Sequence, residues 1–151
     1  MLFTILYMLT ILLMEKKDKE IYKGLSDTDA LTGLFNRRAF QAAVDETLLK
    51  RIAGIFIFID VDNFKDYNDK YGHANGDLCL KHFAATMKKC FPKDSILGRY
   101  GGDEFVVYIK NATSDDAHRY MDEFQREISH LMMSGGEHVT VSASAGGVAF
   151  I

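Results

Sequence analysis

The sequence predicts an α/β sandwich of the α+β kind, a mostly antiparallel central sheet flanked by helices, on three observations. Ile55-Phe-Ile-Phe-Ile59 is an unbroken apolar run of the kind found in a central strand covered on both faces. The strand-like Ser95–Tyr100 and the apolar Phe105–Ile109 are joined through Gly101-Gly102, which reads as a β-hairpin. Segments with helical spacing lie before, between and after these runs, giving the order helix, strand, helix, helix, hairpin, helix, strand.

Taken in order, Met1–Met14 is almost wholly apolar and carries no charge. A full membrane span needs roughly 20 such residues, so the run is the trailing part of a transmembrane helix, a short anchor or a buried helix. A secretory signal would need a basic region before it and a small-residue cleavage site after it, and neither is present. Lys16, Lys17, Lys19 and Lys23 follow at once, which places the remainder on the cytoplasmic side of an inner membrane if the run is an anchor. Residues 15–26 suit a helical connector with Ile21 and Leu25 four apart, and residues 27–151 form the domain proper.

Asn36 stands where an N-cap belongs, before a helix over Arg37–Arg51 with Phe40, Ala43, Val44 and Leu48 on one stripe. Gly54 ends it, and the Ile55–Ile59 strand stops abruptly at Asp60-Val-Asp62. Asp62 suits a capping role at the turn into the next helix. Phe64–Tyr71 reads as a short helix ended by Gly72, His73–Asp77 as a loop, and Leu78–Cys90 as a helix burying Leu80, Phe83, Ala84 and Met87 before Pro92. After the hairpin and the Asn111–Ser114 loop, a helix over Asp115–Met133 carries Tyr120, Phe124, Ile128 and Leu131 inward and is closed by Gly135-Gly136. Val139–Ile151 reads as a last strand.

Composition narrows the chemistry. A chain of 151 residues, 48% hydrophobic and 26% charged, is one ordinary globular domain. Its net charge of −3 provides no basic footprint for nucleic acid. Cys79 and Cys90 lie on one helix and too far apart to bridge, so they read as buried, reduced thiols.

The chemistry gathers in acids. A carboxylate ending a buried central strand, as Asp60 does, is costly unless paired or metal-bound. If that strand lies beside the hairpin, Asp60 meets Asp103 and Glu104 at one sheet edge, a set of hard oxygen ligands suited to Mg²⁺ or Mn²⁺. Two divalent ions held by such acids can clamp an in-line displacement at phosphorus, which favours phosphoryl or nucleotidyl transfer. There is no Walker loop, so phosphates would rest on backbone amides after Asp60 with Lys65 as the point charge. A carboxylate at Asp77 would take two hydrogen bonds from guanine's adjacent N–H donors, and the Asn68 amide could add to them. His73 is not counted as a metal ligand.

Together, Asp29-Ala-Leu-Thr-Gly-Leu-Phe-Asn-Arg37, the Asp60–Asp77 segment and Arg99-Tyr-Gly-Gly-Asp-Glu-Phe105 resemble the GGDEF family of diguanylate cyclases over roughly Asp27–Ile151. The resemblance implies a fold like the palm of nucleotide polymerases and class III cyclases. It also implies Mg²⁺-dependent condensation of two GTP into cyclic di-GMP and two pyrophosphates across a homodimer. By motif, Asp60, the Val61 carbonyl and Asp103 would ligate metal, with Glu104 assisting there and activating the ribose 3′-hydroxyl. Gly101 and Gly102 would admit the nucleotide, Asn63, Phe64 and Lys65 hold phosphates, Asn68 and Asp77 read guanine, and Leu80 line the base pocket. The Asp29–Arg37 motif would lock the connector to the domain, with Arg37 in a structural ion pair. Where many members carry an inhibitory product site, this chain has Pro92 and Ser95, so no such site is expected. Family members continue past the last strand into a further helix and a phosphate-contacting Gly-Arg-Asn segment, which are missing here. The alternative is therefore a non-catalytic GTP-binding or dimerisation module.

Overall fold

The computed structural model describes residues 26–132 and 138–150. The apolar run 1–14, most of the connector and Gly135-Gly136 lie outside the described residues, and among the described residues no helix is long and apolar enough to cross a membrane. In chain order the elements are β1 Phe35–Asn36, α1 Arg37–Leu49, β2 Gly54–Val61, α2 Phe64–Tyr71, α3 His73–Cys90, β3 Ile96–Arg99, β4 Glu104–Lys110, α4 Ser114–Ile128, β5 Leu131–Met132, β6 His138–Val139 and β7 Ala143–Phe150. Five strands form one sheet in the order β1-β3-β4-β2-β7, and β5 pairs with β6 in a separate ladder. All pairings in the large sheet are antiparallel except β1 with β3, so the predicted mostly antiparallel α+β sandwich is what forms.

The two faces of the sheet carry different helices. Ile55, Ile57, Ile59 and Val61 of β2 join Phe105, Val107 and Ile109 of β4 beneath α3 and α4, with Leu80, Phe83, Met87, Phe124 and Ile128 in the same cluster. Phe83 anchors it, with ring centroids 5.0 Å from both Phe105 and Phe124. On the opposite face Val106 and Tyr108 of β4 meet Phe40 and Val44 of α1, with Ala43, Leu48, Phe56 and Phe58 partly buried around them. β2 is thus covered on both faces, fully by α3 and α4 and only in part by α1, and its burial alternates where its sequence does not. Cys79 and Cys90 are both buried and unbridged, and burial pushes the Cys79 thiol up to about 11.

Several boundaries differ from expectation. Asn36 does cap α1, accepting from the Ala39 N–H at 3.0 Å, but with Phe35 it also forms a two-residue parallel strand, too short for periodicity to show. α1 ends at Leu49 rather than Arg51, which takes φ of 54°. No loop separates α2 from α3: Gly72, at φ 82° and ψ 158°, makes the whole turn, so His73–Asp77 are already helical. α4 begins one residue early because Thr113 and Asp116 form a reciprocal capping box, and it ends at Ile128, with Leu131 in β5. The expected last strand is two strands, β6 and β7, interrupted at Thr140–Ser142.

Candidate functional site

The acids meet at the end of the sheet where β2 leaves and β4 enters. Antiparallel register sets Asp60 directly opposite Glu104, so both side chains project from the α1 face. The hairpin tip is tied down at both ends: Val61 N–H donates to the Asp103 carbonyl at 3.1 Å, and Tyr100 N–H donates to the Glu104 carbonyl at 2.8 Å. Burial first, then the charges of Asp103, Glu104 and Asp62, raise the Asp60 carboxyl above its ordinary value. Oxygen-only donors and a carboxyl disfavoured in its charged form by like neighbours fit a hard divalent cation. Asp103 and Glu104 lie near enough for their charges to act on Asp60, and among the described residues no group of three acids, histidines or cysteines stands ready as a metal cage.

The two glycines of the tip do different things. A Cβ on Gly101 would stand 2.2 Å from Glu104 Oε2, so this glycine makes room for the carboxylate rather than for a ligand. Gly102 faces open space, with nothing within 4 Å of a Cβ there, as a position that admits a nucleotide should. Asp62 is not the helix cap expected of it. Asn63, left-handed at φ 53°, occupies that position without a side-chain cap, and the Asp62 carboxylate instead accepts from the hydroxyls of Ser142 and Ser144, both at 2.6 Å. Those bonds hold the Asp62 carboxyl below its ordinary value.

α2 and α3 pack directly through Gly72, which sets Asn68 of α2 against Gly76 of α3, the residue before Asp77. Neither Asn68 nor Asp77 is a cap: each sits inside its helix. Asn68 Oδ1 is buried without a hydrogen-bond partner and lies where a Cβ on Gly76 would be, 1.8 Å away, one residue before the exposed Asp77. An unpartnered buried acceptor beside an exposed carboxylate suits a ligand rich in N–H donors. Lys65 and Asn63 are exposed and Phe64 half-buried at the start of α2, in reach of solvent-borne phosphate. Leu80, expected to line the base pocket, is only 3% exposed and belongs to the core cluster.

Sequence reasoning missed the side chain that braces the tip. Arg99 donates from Nη1 to both Asp29 carboxylate oxygens, at 3.1 and 3.2 Å, and from Nε and Nη2 to the Gly102 carbonyl, at 3.1 and 2.7 Å. Asp29 also accepts from the Thr32 N–H and hydroxyl. Burial raises its carboxyl, but the Thr32 and Arg99 bonds outweigh that and hold it below its ordinary value. The one available signal was the recurrence of an Asp and an Arg in separate turn motifs. Arg37, expected in an ion pair, instead places its guanidinium 4.5 Å over the Tyr100 ring, and its neighbour Arg38 pairs with Asp27. At the position of the inhibitory site, Pro92 brings no cation, and Ser95 closes a turn back to the Pro92 carbonyl.

A mixed sheet of this order, with acids across the β2–β4 register, defines a domain of the palm-like nucleotidyl cyclase class. Residues 26–151 match the family described as diguanylate cyclase, GGDEF domain, and the chain belongs to the GGDEF-domain family. Its fold is similar to the GGDEF domain of DgcB from Caulobacter crescentus in complex with c-di-GMP, with a TM-score of 0.75 and 26% identity over 84% of this chain and 79% of that one. The GGDEF domain of PA1120 (TpbB or YfiN) from Pseudomonas aeruginosa is similar too, with a TM-score of 0.74 and 31% identity over 82% of this chain and 75% of that one. By sequence the chain is 32% identical to the diguanylate cyclase DgcM of Escherichia coli over 85% of its own length and 32% of that protein's. It is also 37% identical to the cyclic di-GMP phosphodiesterase PdeR of the same organism over 66% of its own length and 15% of that protein's. The chain therefore spans well under half the length of these curated relatives.

Proposed function

We propose that this domain is a diguanylate cyclase, condensing two GTP into cyclic di-GMP with release of two pyrophosphates. The observation that carries the reading is the register of Asp60 opposite Glu104, with Asp103 held at the hairpin tip between them in the chain. Each 3′-oxygen attacks the α-phosphorus of the other GTP, the bond to the pyrophosphate oxygen breaks, and the hydroxyl proton is lost. Asp60, Asp103 and the Val61 carbonyl would hold Mg²⁺ or Mn²⁺, which supplies charge neutralisation at the reacting phosphate. Glu104, folded over Gly101, assists there and takes up the 3′-hydroxyl proton. Asn68 and Asp77 orient guanine, Gly102 leaves room for the sugar and phosphates, and Lys65 with the Asn63–Phe64 backbone steadies the triphosphate. Because one domain presents one GTP, catalysis needs two copies face to face. The apolar start and its lysines support tethering of this cytoplasmic domain to the inner membrane.

A second reading, a GTP-binding module without turnover, is favoured by the match to a phosphodiesterase. Incubation of the chain with GTP and Mg²⁺ and chromatography of the products separates the two. Cyclic di-GMP from the parent and none from Glu104→Gln is the expected result. No product from either, with calorimetric GTP binding that disappears in Asp77→Ala, would establish the binding module instead.

A further inference from the structure

The end of β2 has a brace that the acid site does not itself explain. Asp62 lies two residues beyond Asp60, in the turn that follows β2, and its carboxylate reaches back to Ser144 of β7. Its two carboxylate oxygens are divided between two hydroxyls of the neighbouring chain: Oδ2 accepts from Ser142 and Oδ1 from Ser144, both at 2.6 Å. The Asp62 N–H adds a bond to the Ser142 carbonyl at 3.0 Å. Ser144 stands in register with Asp60 itself. On the other flank, Val61 N–H is bonded to the Asp103 carbonyl. The segment from Asp60 to Asp62 is thus pinned to Ser142 and Ser144 on one side and to the hairpin tip on the other.

The serine bonds favour the charged Asp62 carboxylate itself, but that charge falls on a neighbour already disfavoured. Backbone bonds already pair β2 with β7 from Gly54 through Val61, and the extra negative charge adds to the repulsion that raises the Asp60 carboxyl. We propose that Asp62, through Ser142 and Ser144, is a positioning residue that aims the Asp60 carboxylate and the Val61 carbonyl at the cation bound with the nucleotide. Each of its oxygens accepts from a serine, so its part is to hold the chain that carries the ligands. Outer partners of this kind change metal affinity by about 10–100-fold. The inference rests on the cyclase reading, since it presumes a cation at Asp60.

The test compares the full chain, Ser142→Ala/Ser144→Ala and Ser142→Thr/Ser144→Thr, titrated with Mn²⁺ in the presence of a non-hydrolysable GTP analogue and followed by electron paramagnetic resonance. The alanine pair is expected to bind Mn²⁺ about 10-fold more weakly, and the threonine pair, which keeps both hydroxyls, as the parent does. Calorimetry in EDTA is expected to show nucleotide contacts to the base unchanged in all three. Equal Mn²⁺ affinity in the alanine pair and the parent would overturn the positioning role while leaving the cyclase reading intact. Parent protein that binds neither Mn²⁺ nor the analogue would overturn the cyclase reading, and this inference with it. If circular dichroism shows the alanine pair unfolded, Asp62→Asn, which keeps the shape and one acceptor, takes its place with the same two outcomes.

Discussion

Replacing Arg99 by alanine removes the brace between the hairpin tip and the Asp29 turn. Its side chain is 15% exposed and that of Asp29 23%, so the pair is shielded without being dry. A hydrogen bond to a charged group contributes roughly 1.5–3 kcal/mol, but Asp29 keeps its two bonds from Thr32 and the exposed Gly102 carbonyl can turn to water. The net loss is about 2 kcal/mol, which for a domain of this size lowers the melting temperature by about 6 °C. Melting followed by circular dichroism measures it directly. The pH dependence supplies a second check. The Asp29 carboxyl lies below its ordinary value of 3.8 in the folded protein, so its contribution is complete above that pH and fades as pH falls through the lower folded value. The gap between parent and Arg99→Ala should be constant from pH 5 to 8 and narrow in stronger acid (roughly below pH 4). A variant that melts within 1 °C or so of the parent at neutral pH would refute the brace.

Two further substitutions act at the site itself. Gly76→Ala should lower the melting temperature by a few degrees, since a gain in helix propensity of up to about 1 kcal/mol is outweighed by an overpacking cost of about 1–3 kcal/mol where the new Cβ meets Asn68 and Phe64. The new Cβ must displace the Asn68 amide, so GTP affinity measured by calorimetry should fall about 10-fold, the value of one hydrogen bond of about 1.4 kcal/mol. Asp60→Asn should abolish divalent-ion binding yet raise stability at pH 7 by about 1 kcal/mol, because it removes a charge that burial, Asp103, Glu104 and Asp62 all disfavour. The sign follows from linkage: a carboxyl raised in the folded state opposes folding above its folded value and ceases to do so below 3.8. Urea denaturation at pH 7 and pH 3.5 should therefore show the advantage only at the higher pH.

Most of the sheet was legible because its strands announce themselves by apolar runs, and the Asp60–Glu104 pairing followed from placing two such runs side by side. Helix interiors were legible for the same reason: Phe40, Phe83, Met87 and Phe124 are buried at the spacing a helix requires. Boundaries were not, where one residue's backbone decided the outcome. Gly72 could have begun a loop as easily as joined two helices, and only packing of α2 on α3 settles which. Long-range polar bonds were the least legible. Nothing local distinguishes Asp62 bound to Ser142 and Ser144, 80 and 82 residues away, from an ordinary cap. Arg99 reaching Asp29 across 70 residues is of the same kind.

The join at Gly72 has a mechanical consequence. With no loop between α2 and α3, the distance from Asn68 to Asp77 depends on a single pair of backbone angles, and neither helix can shift without carrying its side chain along. A pair of side chains joined this way has no connecting loop to take up local rearrangement. The joint behaves as a fixed gauge whose setting resides in Gly72, held by its N–H on the Asn68 carbonyl at 2.8 Å and by the Gly76 N–H on its own carbonyl at 3.1 Å.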